Sequence, residues 1–183
     1  MSEGLIYFRD GELIAEEGNT RVYEMAGKLF LEKGEGHTLW ALESELSDYI
    51  EQLGSWPRGE CLEIGLGLGV ASKYILSFPK VDSLTTVEID KDVIEVHKRI
   101  NPTINKRHLI LNADGLYYAY ETNRMFDFIF LDFYDVIDED TLPLIADMVV
   151  ACNRILKPDG KMLGWLDKHT EGEDANIFMS LFD

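Results

Sequence analysis

The chain has 183 residues, 46% of them hydrophobic and 11% aromatic, and a formal net charge of −17. That is enough apolar material for one domain with a real core and a small appendage at most. So acidic a surface would repel DNA or RNA, and no stretch approaches the roughly 18 apolar residues of a membrane helix, so neither is an expected partner.

Met1-Ser2-Glu3-Gly4 has neither the basic start nor the apolar run of a secretory signal. Cys61 and Cys152 sit in apolar patterns and read as reduced core residues of a cytoplasmic protein. No Cys/His cluster has metal-ligand spacing, so no metal site is expected.

Residues 5–32 alternate strand-like runs with turn signals. Leu5-Ile6-Tyr7-Phe8-Arg9, then Asp10-Gly11, then Glu12-Leu13-Ile14-Ala15 reads as one hairpin. Arg21 to Met25 turns at Ala26-Gly27 into Lys28 to Glu32, a second hairpin. Hairpins alone are marginal, so these must pack on the main domain or on another subunit. A homo-oligomer joined through the hairpins, or through an exposed sheet edge, is an expectation.

Thr38 is placed to cap a helix in which Leu39, Leu42, Leu46, Tyr49, Ile50 and Leu53 share one face. Gly54 and Pro57 stop it. His37 and Trp40, at its start, could lid a ligand site. Beyond this point strands and helices alternate. Strands are expected near 60–64, 84–89, 107–111, 126–131 and 161–166, and helices near 69–78, 91–99, 115–121, 139–156 and 174–182. Such alternation builds a parallel sheet with helices on both faces. His97, between Glu95 and Lys98, reads as solvated, and neither His108 nor His169 has an evident partner.

The first of those strands carries the most informative stretch. Glu60-Cys61-Leu62-Glu63-Ile64 runs into Gly65-Leu66-Gly67-Leu68-Gly69, and a helix-forming run follows. A glycine loop between strand and helix lets backbone approach a ligand closely, and the helix aims its N–H groups at that ligand. Val70 stands where the dinucleotide fingerprint needs its third glycine. At the end of the second strand, Glu88 can accept both hydroxyls of a ribose, while Asp90 caps the next helix.

The pattern Glu63-x-Gly65-x-Gly67-x-Gly69 resembles motif I of the class I S-adenosylmethionine (SAM) dependent methyltransferases. Arg154-Ile155-Leu156-Lys157-Pro158-Asp159-Gly160 is similar to the turn before that family's fifth strand. The resemblance implies a Rossmann-like, doubly wound, mostly parallel α/β sheet over residues 37–183, preceded by a β-hairpin region over 1–36. Strands six and seven of that fold are expected to be missing or very short. Glu63, Gly65, Gly67, Gly69, Glu88, Asp114 and Asp132 are the implied cofactor-binding residues, with Asp114 at the adenine edge. Asp114 could equally cap the helix that follows it.

Within the fold, Val87-Glu88-Ile89-Asp90, Ala113-Asp114-Gly115 and Asp132-x-x-Asp135 also resemble spermidine synthase, which uses decarboxylated SAM. On either reading Asp132 and Asp135 are the candidate catalytic residues, placed to hold and deprotonate an acceptor. The aminopropyl family usually carries G-G-G-D-G, with its aspartate on the donor's free amine. Here Leu68 occupies that position, and an unpaired ammonium beside it loses a bond worth roughly 1.5–3 kcal/mol. The expected function is therefore SAM-dependent methyl transfer to a small acceptor that the sequence does not identify. Aminopropyl transfer is the first alternative, and a non-catalytic SAM-fold binding or scaffold protein the second. Tyr134 is expected to be a partly buried core residue.

Overall fold

A computed structural model describes residues 10–34, 38–103, 105–167 and 170–182. The described chain opens with an antiparallel sheet of β1 (Glu12–Glu17), β2 (Thr20–Met25), β3 (Lys28–Lys33) and β4 (Thr38–Leu42), in that spatial order. The Ala26-Gly27 turn joins β2 to β3 as expected, with both residues at positive φ. The first hairpin differs from expectation. β1 pairs with β2 across Gly18-Asn19, and the run from Leu5 to Arg9 lies outside the described residues.

A second correction concerns the helix expected from Leu39. Residues 38–42 instead form β4 on the edge of β3. A 3-10 turn follows at Glu43–Glu45, and α1 spans only Leu46–Leu53. The helical spacing of Leu39, Leu42 and Leu46 loses to pairing with β3, which satisfies backbone groups that an isolated first turn would leave open. His37 and His169 lie outside the described residues, as does the side chain of Trp40.

The rest of the chain alternates as expected: β5 (Gly59–Ile64), α2 (Val70–Ser77), β6 (Val81–Glu88), α3 (Lys91–Ile100), β7 (His108–Asn112), α4 (Gly115–Glu121), β8 (Phe126–Leu131), α5 (Leu142–Asn153), β9 (Leu156–Gly164) and α6 (Glu173–Ser180). The strands form one parallel sheet in the order β7-β6-β5-β8-β9. The order reverses between β5 and β8, so a crevice opens at their carboxyl ends. β9 begins earlier than expected because Leu156 pairs with Phe126, and Lys157–Gly160 form an irregularity before pairing resumes at Lys161.

Both faces of the sheet are buried. Phe128 and Phe130 face α1, α2, α3 and the N-terminal sheet, whose Ala15, Val22 and Leu31 join the same core. Ile129 and Leu131 face α4, α5 and α6. The alternation within β8 is the period-2 geometry of a strand buried on both sides. The antiparallel sheet packs on α3, held by ion pairs Lys33–Asp90 and Arg99–Glu17. Two arginines close helix ends. Arg107 donates to the carbonyls of Leu76 and Val81 behind α2, and Arg154 to those of Ala119, Tyr120 and Thr122 behind α4. Cation donors there complement the negative end of the helix dipole.

The glycine loop is braced from below by a buried polar chain. Glu63 in β5 is 1% exposed, and its Oε2 accepts from Ser72 Oγ of α2 and from Thr86 Oγ1 of β6. His108 Nε2 lies 2.8 Å from the same Thr86 hydroxyl. His97 is also buried, against Gly69, so the expectation that it is solvated is wrong. Its helix face turns inward under the loop, while Glu95 and Lys98 pair on the outside.

Burial pushes the Glu63 carboxyl up to about 8. Between the ordinary carboxylate range and that value, the unfolded chain has lost this proton and the folded chain keeps it. Glu63 therefore lowers stability as pH rises through that window, and no further above it. Glu63→Gln is expected to melt at a pH-independent offset below the window, and to gain a few degrees on the wild type by about pH 8. Melting curves that stay parallel across the window would refute this.

Candidate active site

The crevice at the strand ends is a cavity of about 530 Å³, well within the size of small-molecule sites. Its floor is the loop after β5, with Gly65, Leu66, Gly67 and Leu68, and the first turn of α2. Gly65 has φ 98°, and a Cβ there would fall on the carbonyl of Asp132. Only glycine lets the ends of β5 and β8 come this close. The N-terminal sheet forms part of the wall through Leu31, Leu39 and Ala41.

Six carboxylates line the cavity: Glu45, Glu88, Asp114, Asp132, Asp135 and Asp167. No Lys, Arg or His is among the described lining residues. Lys33 is paired with Asp90 and acts on Glu88 through the field. Glu88 is mostly buried. Its Oε2 accepts from Leu66 N at 2.9 Å and its Oε1 from Asp90 N at 2.8 Å, so it ties the loop after β5 to the end of β6. Burial raises its pKa.

Asp132 stands at the end of β8. Its Oδ2 accepts from the Tyr49 hydroxyl at 2.8 Å. Burial, with Glu45, Asp135 and Glu88 nearby, pushes its carboxyl up to about 7. Tyr49 stacks on Trp165 with centroids 4.3 Å apart and meets Phe130 edge-on. Asp135 is the more exposed of the two aspartates, and the burial it does have raises its pKa. A cavity that is acidic, partly apolar and walled by aromatic rings suits an organic cation.

Gly65, Gly67, Glu88, Asp114, Asp132 and Asp135 thus meet in one cavity. Asp114 also caps α4, accepting from Tyr117 N, and Asp90 caps α3 as expected. Glu63 and Gly69 are not brought there. Glu63 is engaged beneath the loop, and Gly69, at the cap of α2, packs on His97. Tyr134 is partly buried against the core, as expected, and also lines the cavity, donating to the Trp165 carbonyl at 2.6 Å. Glu45, Tyr49, Trp165 and Asp167 were not expected. They come from the 3-10 turn, from α1 and from the segment just after β9, and no local motif marks them.

A family model described as the spermine/spermidine synthase domain matches residues 57–174. A polyamine aminopropyltransferase of Hydrogenobaculum sp. (strain Y04AAS1) is 32% identical over 108 residues, covering 56% of this chain and 39% of that protein. Another, from Caldicellulosiruptor saccharolyticus, is 29% identical over 125 residues, covering 64% of this chain and 45% of that one. The chain thus spans less than half the length of these relatives. The crystal structure of spermidine synthase from Thermotoga maritima superposes with TM-score 0.59 at 20% identity, over 92% of this chain and 59% of that one, a likeness of fold.

These relatives overturn methyl transfer as the expected function, since the matching proteins are aminopropyltransferases. Leu68 misled because the loop was weighed alone, whereas the cavity draws its charge from the 3-10 turn before α1 and the ends of β6 to β9. The family model covers well over half of the chain, which therefore belongs to the spermine/spermidine synthase family.

Proposed function

We propose that the cavity binds decarboxylated SAM and transfers its aminopropyl group to a small amine. The observation that carries this reading is the ring of carboxylates around the cavity, unopposed by any lining cation among the described residues. A donor with a sulfonium and an ammonium, and an amine acceptor, are the kinds of ligand such a field concentrates. Family membership supports the reaction class.

In this reading Glu88, at the end of β6, takes the ribose hydroxyls and Asp114 the adenine edge. The glycine loop lies along the sulfur end of the nucleoside. Asp132 and Asp135 hold the acceptor amine. Its nitrogen attacks the methylene carbon attached to sulfur, the C–N bond forms as the C–S bond breaks, and methylthioadenosine leaves as a neutral thioether. Asp132 accepts the proton released by the nitrogen. The sulfonium is already a good leaving group, so alignment supplies most of the acceleration, and proton removal adds to it.

Asp132 must be ionised to act as base. Its carboxyl is raised to about 7, so the rate should climb with pH through that value rather than through the ordinary carboxylate range. Asp132→Asn keeps an acceptor for the Tyr49 hydroxyl, and should lower kcat by about 100-fold or more and abolish that limb. A variant that keeps both the rate and the limb would remove Asp132 from the chemistry. Glu88→Gln should weaken methylthioadenosine binding about tenfold in calorimetry. Unchanged affinity would place the ribose elsewhere.

A further inference from the structure

Among the described residues β9 is an edge strand: β8 lies on one side, and no strand pairs with the other. Along a strand, successive residues turn their backbone N–H and C=O groups to opposite edges and their side chains to opposite faces. The chain just past Gly164 keeps that alternation. Trp165 turns inward. Its N–H donates to the Leu131 carbonyl at 2.8 Å, and its carbonyl accepts from the Tyr134 hydroxyl. Leu166 turns outward, where its backbone groups need a partner that β8 does not supply.

Gln52 of α1 meets both groups. Its Nε2 donates to the Leu166 carbonyl at 2.7 Å, and its Oε1 accepts from the Leu166 N–H at 2.9 Å. A side-chain amide carries the same kinds of donor and acceptor as a peptide group, so one glutamine does at Leu166 what a paired strand would do. Tyr49 stands one helical turn earlier on the same face of α1 and stacks on the Trp165 ring. Trp165 and Asp167 line the cavity, while Leu166 between them packs against the core of α4, α5 and α6. The two bonds from Gln52 therefore fix the backbone midway between two side chains of the cavity wall.

Resting on the aminopropyl reading above, we propose that Gln52 is a positioning residue for the acceptor amine: by pairing with Leu166 as a neighbouring strand would, it holds Trp165 and Asp167 at the acceptor end of the cavity. Gln52 is not among the described lining residues, so it acts through the segment it holds. The nucleoside half of the cavity, with Glu88 and Asp114, is built at the ends of β6 and β7. Loss of the clamp lets the end of β9 splay and loosens the wall against which the amine is aligned, and leaves the nucleoside half in place.

The test is Gln52→Leu, close in volume and without hydrogen-bonding groups, measured three ways against wild type. Methylthioadenosine affinity in calorimetry should be unchanged, which reports a folded nucleoside half. With decarboxylated SAM as donor and the short diamine putrescine as acceptor, the KM for the diamine should rise about tenfold while kcat changes far less. The Trp165 N–H keeps its own partner in Leu131, so its hydrogen exchange reports splaying and should quicken about tenfold. An unchanged KM for the diamine, or unchanged exchange at Trp165, with methylthioadenosine binding intact, would overturn the assignment. If Gln52→Leu loses methylthioadenosine binding, the same measurements on Gln52→Glu decide; it keeps the acceptor for the Leu166 N–H and lacks the donor. Loss of that binding in both variants would overturn a role confined to the acceptor half. Wild type that binds methylthioadenosine and turns over no diamine would overturn the aminopropyl reading and the acceptor role with it, while the exchange at Trp165 would still show whether Gln52 fixes the strand end.

Discussion

The close approach of β5 to β8 at Gly65 is the constraint on which the site depends. Parallel strands on either side of an order reversal diverge at their carboxyl ends, and helices leave on opposite faces. Without a Cβ at Gly65, the backbone there touches the Asp132 carbonyl, and the glycine loop and the end of β8 share one cavity. Glu88 then draws Leu66 toward β6 through the loop's own N–H. The loop is held in front by Glu88 and from beneath by Glu63, Ser72 and Thr86, so its shape is fixed before any ligand arrives.

Most of the α/β fold was legible because its signals are local and periodic. All five expected strands and the five later helices occur, with small shifts of boundary. Asp90 and Asp114 cap helices as their positions suggest. What failed did so for reasons that lie outside the local window. The run from Leu39 to Leu53 has a helical spacing throughout, yet its first part is claimed by an unpaired edge of β3. His97 looks solvated between charged neighbours, but its ring points the other way, under Gly69.

The site was legible to the same degree. Carboxylates at strand ends announce themselves, because the strand end is where an α/β sheet places chemistry. Glu45 and Tyr49 carry no such mark, since only tertiary packing sets α1 over the end of β8. Missing them made Leu68 look decisive. Charge recognition in a cavity belongs to its whole lining, and one apolar residue in the loop does not determine the field. Glu63 shows the converse: an acidic residue at a motif position that serves the loop's foundation instead of the ligand.

The stack of Tyr49 and Trp165 has an optical consequence. An indole in the wall of the cavity, resting on a phenol that is itself tied to Asp132, senses what displaces solvent beside it. Trp56, by contrast, is half exposed near Lys161 and does not line the cavity. The chain therefore carries its own spectroscopic gauge of occupancy: entry of a cation next to the indole should perturb its emission without any added label.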